Sequence, residues 1–124
     1  MYIKLFSLFI IFIIIDMIVI FPNKHQWINL STYCKKQKLR VVYGIFAWML
    51  LSIGLYSFVI PHIGSYYDCF RYGILYATIV YGVFDFTNMV LFSFYPWWLT
   101  LLDILSGCIT CILTLCIYNK IFIK

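Results

Sequence analysis

Polar residues along this chain are sparse and bunched, and the stretches between them are long, apolar and of similar length. Four apolar spans stand out. They run from about Tyr2 to Phe21, Val41 to Ile60, Phe70 to Phe92, and Trp97 to Tyr118. Each is about 20 residues, enough to cross about 30 Å of hydrocarbon as a helix. Inside a bilayer the backbone must satisfy its own hydrogen bonds, so spans of this length are helices. Membrane strands would be half as long and would alternate apolar with polar positions; these do not. The pattern predicts an all-α membrane fold, four transmembrane helices in an antiparallel bundle, filling one membrane domain over residues 1–124.

The punctuation between spans carries further information. Pro22-Asn23 stops the first span and Pro61 the second. The link at 23–40 is the only long one and holds Lys24, Lys35, Lys36, Lys38 and Arg40. Within it Trp27, Leu30 and Cys34 fall three to four apart, the spacing of a short helix lying in the interface. The second link, Pro61 to Cys69, holds His62 and Asp68. The third, Ser93 to Pro96, is so short that it forces the helices it joins to be antiparallel neighbours. Tyr66, Tyr67, Tyr95, Trp97 and Trp98 sit where an interfacial aromatic belt belongs.

Composition agrees with the pattern. Of 124 residues, 65% are hydrophobic and only 10% charged, against about 25% charged in a soluble domain. Too little polar surface exists to coat a water-soluble globule. The formal charge of +5 comes from Lys and Arg flanking the spans. It describes membrane boundaries and headgroup contact, not a nucleic-acid patch. Lys35, Lys36, Lys38 and Arg40 are expected to attract anionic headgroups, at about 1 kcal/mol per charge. The first link is the densest basic segment and is expected to stay cytoplasmic, which places both termini on the extracytoplasmic side. Glycosylation of the sequon Asn29-Leu30-Ser31 would reverse that orientation. Lys4 before an apolar core resembles a signal peptide, but Asp16 interrupts the core and no small-x-small cleavage site follows, so the segment reads as a retained span.

The acidic residues break the pattern. The chain has no Glu and four Asp, and Asp16, Asp85 and Asp103 fall inside apolar spans. Asp16 comes late in the first span, Asp85 late in the third and Asp103 early in the fourth. The alternating direction of the helices then sets all three at similar depth, roughly 7–10 Å inside the face that bears the basic link. A charged side chain near a helix centre costs on the order of 2.5–3.5 kcal/mol, so these groups are expected to face the bundle interior. No Lys or Arg lies within the spans beyond their ends, and carboxyl groups gathered in low dielectric cannot all stay ionised.

Neighbouring residues extend the polar face. Tyr81, Asp85 and Asn88 share one side of the third helix, and Asp103, Ser106, Gly107, Thr110 and Thr114 one side of the fourth. Small residues suited to close helix approach are Gly44, Ala47, Gly54 and Ser57 in the second helix and Gly73, Ala77 and Gly82 in the third. Asp16, Tyr81, Asp85, Asn88 and Asp103 therefore form the candidate site. Three readings fit it: a site for a proton, cation or small polar ligand, used in transport or permeability; a polar core that only fixes helix packing in a structural or interaction protein; and a lipid-acting enzyme with Asp85 and Asp103 as acid and base. His25 and His62 lie outside the spans as read, which removes support for a His-based catalytic centre, and no catalytic residue is assigned. Cys108 and Cys111 form C-x-x-C inside an apolar span without a second pair, which reads as packing rather than metal or redox chemistry. No phosphate-binding Gly loop or cofactor motif occurs, and no cofactor is implied. Four short helices enclose little volume, so assembly as a homo-oligomer is expected.

Two stretches resemble a known family. Tyr81-Gly82-Val83-Phe84-Asp85-Phe86-Thr87-Asn88, followed by Trp98-Leu99-Thr100-Leu101-Leu102-Asp103-Ile104, is similar to the signature of the domain-of-unknown-function 2177 family of predicted four-helix membrane proteins. Members typically read Y-x-x-Y-D-L-T-N in the third helix, then W and V-D-x-x-W-G opening the fourth, with an Asp late in the first, where Asp16 stands here. Met17-Ile18-Val19 replaces the Trp that usually follows that Asp, and Ser106 the Trp before Gly107. The resemblance implies the four-helix fold over essentially the whole chain and singles out the same Asp residues; it implies no activity.

Overall fold

The computed structural model describes residues 1–23, 25–26 and 41–123. Four helices in it are long and apolar enough to cross a membrane: α1 (Tyr2–Ile20), α2 (Val41–Gly54, continued to His62 by tighter and looser turns), α3 (Tyr66–Leu91) and α4 (Trp97–Phe122). No strand occurs among the described residues. The basic cluster Lys35, Lys36, Lys38 and Arg40, and the proposed interfacial helix around Trp27, Leu30 and Cys34, lie outside the described residues.

Helix ends differ from the expected ones for identifiable reasons. The third helix begins at Tyr66 instead of near Phe70, because Ser65 caps it. The Ser65 hydroxyl oxygen accepts from the Asp68 N–H at 3.2 Å, while Asp68 Oδ2 accepts from the Ser65 hydroxyl at 2.7 Å and from the Gly64 N–H at 3.1 Å. This reciprocal cap moves Asp68 from the link into the first turn of α3. At the other extreme α4 continues past Tyr118 to Phe122, since Asn119-Lys120-Ile121 contains no breaker and a Lys in the last turn suits the negative end of a helix.

The second helix ends at Pro61-His62 as expected, and its pitch changes on the way. A proline ring clashes with the carbonyl four residues back and has no N–H to offer. Here the chain widens into a π-helical turn over Leu55–Val59, in which the Ile60 N–H reaches back to the Leu55 carbonyl, and then tightens into a 3-10 turn at Ile60–His62.

The fourth helix is the centre of the bundle. Its Leu101, Leu105, Ile109, Leu113, Ile117 and Ile121, spaced four apart, are exposed, while Leu99, Asp103, Gly107, Thr110, Cys111, Thr114, Leu115 and Tyr118 are buried. An exposed Leu/Ile stripe of this length has no place in water; it is a lipid face. Against the buried side pack α3 and α1, and α1 in turn carries α2. Leu8 and Phe12 of α1, Leu55 and Val59 of α2, Cys69 and Ala77 of α3, and Leu115 and Tyr118 of α4 form one apolar core.

Lipid offers no hydrophobic drive between helices, so close approach depends on small residues. A Cβ on Gly73 would lie 3.3 Å from the Ile112 backbone, and one on Gly107 would run into the Tyr81 ring. Gly54 is likewise covered by the Tyr76 hydroxyl, which donates to the Leu51 carbonyl at 2.9 Å. Gly73, Ala77 and Gly82 are buried as their small size suggested. The second helix departs from expectation: Gly44 faces open space, and Ala47 and Ser57 are exposed. That side of α2 points outward because α2 packs on α1 and meets α3 chiefly at its π-helical turn.

Candidate functional site

The helix directions carry the three intramembrane carboxyl groups to one end of the bundle. Asp16 lies one turn before the end of α1, Asp85 nearly two turns before the end of α3, and Asp103 two turns into α4. None faces lipid: Asp16 is 4%, Asp85 0% and Asp103 7% exposed. Asp103 is close enough to both Asp85 and Asp16 to be influenced by their charges.

The three are not equivalent. Asp16 is held on both oxygens. The Trp48 indole N–H donates to its Oδ2 at 2.8 Å, and the Thr110 hydroxyl to its Oδ1 at 3.2 Å. These bonds tie α1 to α2 and to α4. They also fix the direction of α2, because Asp16 near the end of α1 meets Trp48 near the start of α2.

Asp85 and Asp103 form a second group. The Tyr95 hydroxyl donates to Asp85 Oδ1 in a short hydrogen bond. Asp85 Oδ2 is buried without a donor, and the Asp103 carboxyl is its electrostatic neighbour. Two facing carboxylates are acceptors only; a single proton between them turns the contact into a hydrogen bond. Among the described residues no protein N–H, hydroxyl, Lys or Arg donates to Asp103.

Tyr95 reaches Asp85 because the link folds back. Its N–H bonds to the Phe92 carbonyl at 3.0 Å, and Pro96 then caps α4. The ring is consequently 8% exposed and does not belong to the aromatic belt expected at that position, whereas Tyr66, Tyr67, Trp97 and Trp98 are exposed. Burial first, and then the Asp85 carboxyl, push the Tyr95 phenol above its ordinary range. Asn88, one turn beyond Asp85, stands beside the same hydroxyl. Tyr81 lies with its ring on Gly107, within electrostatic range of Asp16 and Asp103. All five residues proposed from the sequence are thus near one another, in two subgroups joined through Asp103 and Tyr81.

Comparison with known proteins adds the family. The family described as "Predicted membrane protein (DUF2177)" matches residues 1–118, nearly the whole chain. The chain belongs to this family. No curated protein and no solved structure matches it. Within this DUF2177 chain, Trp48, Thr110 and Tyr95 are partners of the Asp residues that sequence reasoning did not assign. Depth alone points to the first: Trp48 lies seven residues into α2, at about the depth of Asp16, and an indole N–H in lipid needs an acceptor. Nothing in the sequence separates Tyr95 from its exposed aromatic neighbours.

Proposed function

We propose that this membrane protein binds an exchangeable proton at the Asp85–Asp103 pair, and that the pair serves proton- or cation-coupled transport or permeability. The observation that carries this reading is the buried Asp85 Oδ2, which has no hydrogen-bond partner, on a carboxyl group that has Asp103 as its neighbour. Polar groups left incomplete inside a membrane are expensive and are characteristic of proton and ion pathways. Tyr95 and Asn88 extend the pair toward the end of the bundle, where the Tyr95 hydroxyl can hand on a proton and the Asn88 amide orients it. Anionic headgroups held by Lys35, Lys36, Lys38 and Arg40 belong to this reading, as does assembly with further copies of the chain. The orientation with both termini extracytoplasmic sets the pair near the cytoplasmic face.

The test is flux in proteoliposomes carrying an entrapped pH indicator. Wild type is expected to dissipate an imposed proton or cation gradient, and Asp85→Asn and Asp103→Asn to abolish that flux with helical content retained. Absence of flux under every imposed gradient overturns the reading.

Packing is the second reading, and a specific observation favours it for one residue. Asp16 accepts from donors on two other helices, so its part is to lock the bundle. On this division Asp16 substitutions lower stability, and flux scales only with the folded fraction.

A further inference from the structure

The short link from Ser93 to Pro96 closes one end of the α3–α4 hairpin, and a pair of thiols marks the other. Contacts between the two helices advance in regular steps. A Cβ on Gly82 would touch the Ile104 side chain, Thr78 Oγ1 lies 3.9 Å from Cys108 Sγ, and a Cβ on Gly73 would lie 3.3 Å from Ile112 Cα. Each step goes about one turn back along α3 and one turn forward along α4, as antiparallel helices require. The next step pairs Cys69 with Cys116. Both are free thiols. Cys69 is fully buried in the apolar core, and Cys116 packs against that core while partly exposed. The two are electrostatic neighbours.

Geometry sets this pair apart from Cys108 and Cys111. A disulfide needs Cβ atoms about 3.5–4.5 Å apart, closer than most packed helices bring them. Glycine at position 73 lets α3 and α4 approach to backbone contact one turn from Cys69 and Cys116. Cys108 and Cys111 share one helix three residues apart, where Cβ atoms stand about 5–6 Å apart, too far for a bridge. We infer that Cys69 and Cys116 form a disulfide site that clasps the open end of the hairpin carrying Asp85 and Asp103. The oxidant is a small disulfide. The partly exposed Cys116 attacks it first, forming a mixed disulfide and releasing one thiol. The buried Cys69 then attacks the Cys116 sulfur and releases the second. Each cysteine proton leaves with a departing thiol, and the electron pair reduces the oxidant. With both termini extracytoplasmic, as proposed above, this end of the bundle lies on the side where disulfides persist. The site is separate from the carboxyl pair and does not depend on proton binding there.

The test treats the full chain in detergent micelles with dithiodipyridine, a lipophilic disulfide, and maps the cysteines by mass spectrometry without reduction. In wild type the Cys69 and Cys116 peptides should be joined within one chain, with no pyridyl group left on either, and dithiothreitol should separate them. In Cys69→Ser the pyridyl group should stay on Cys116, because the thiol that displaces it is gone. Cys108→Ser and Cys111→Ser should leave the bridge unchanged. The bridged protein should melt several degrees above the reduced one. A stable pyridyl group on Cys116 in wild type overturns the inference, as do two free thiols after treatment. So does a bridge from either residue to another cysteine or to a second copy of the chain. Equal melting temperatures overturn the clasp. The wild-type map alone decides the pairing where a variant fails to fold.

Discussion

The Trp48 indole N–H donates to Asp16 Oδ2 at 2.8 Å across a sequence separation of 32 residues, and the link between them runs through the basic segment. This bond is one of two that make Asp16 a three-helix junction; Thr110 supplies the other. Trp48→Phe keeps an aromatic ring but removes the indole N–H together with the five-membered part of the ring, so lost packing adds to the lost donor. A buried acceptor left without its partner costs about 1–3 kcal/mol. The expected outcome is a loss of at least that size in denaturant unfolding in bicelles. A double-mutant cycle with Asp16→Ala, which removes the acceptor altogether, should return the hydrogen-bond part of the loss as coupling energy. Purely additive effects would show that the two side chains do not support each other.

Glycine positions offer a contrast within one family of substitutions. At Gly107 a methyl group would run into the Tyr81 ring, whereas at Gly44 nothing lies within 4 Å. Gly107→Ala must move an aromatic ring on the neighbouring helix and is expected to cost about 1–3 kcal/mol, the range for overpacking. Gly44→Ala, on the lipid face of α2, should be neutral or slightly stabilising because alanine favours the helix by up to about 1 kcal/mol. Thermal unfolding in detergent of the two variants side by side checks the ordering. Equal melting temperatures would contradict the close contact between α3 and α4.

How much of this was legible before the structure depends on the kind of signal. The helices were, because apolar length and backbone hydrogen bonding leave no alternative in lipid. The shared depth of Asp16, Asp85 and Asp103 followed from alternating helix direction alone. Partners were less legible. Depth says which residues share a layer, but helix rotation decides which of them touch, and rotation is set by contacts such as Tyr81 on Gly107. Tyr95 illustrates the loss: it stands among exposed aromatics in sequence and turns inward only because the link folds back at Phe92. In α2 a run of small residues suggested an interface, yet Gly44, Ala47 and Ser57 are exposed. The π-helical turn before Pro61 was also invisible, as a proline marks where the helix ends without showing that the turn before it widens.

The cap of α3 is independent of the carboxyl site and is testable alone. Ser65 accepts the Asp68 N–H and donates to the Asp68 carboxyl group. Ser65→Ala removes both interactions, and loss of an N-cap costs about 0.5–2 kcal/mol. Hydrogen exchange should speed up at the amides of Tyr66 to Cys69 and remain slow around Asp85. Unchanged protection at the first turn would mean that packing of Cys69, rather than the cap, sets where α3 begins.

Tyr95 gives the most direct spectroscopic handle on the pair. Its hydroxyl donates to Asp85 Oδ1, and the second oxygen has no donor from the protein. A proton shared with Asp103 places a protonated carboxyl group in the interior, and such a group has a carbonyl stretch resolved from that of the ionised form in the infrared. The band should be present in wild type and vanish in Asp85→Asn and Asp103→Asn. In Tyr95→Phe it should move to higher frequency, because a carbonyl relieved of a hydrogen bond stiffens. The same variant leaves Asp85 Oδ1 without its hydroxyl donor and should lose about 1–3 kcal/mol of stability. Asp16→Asn should leave the band in place, since Asp16 draws its donors from Trp48 and Thr110. A spectrum with no protonated carboxyl band at neutral pH, or one that responds to Asp16→Asn alone, would remove the shared proton and with it the basis for assigning transport to Asp85 and Asp103.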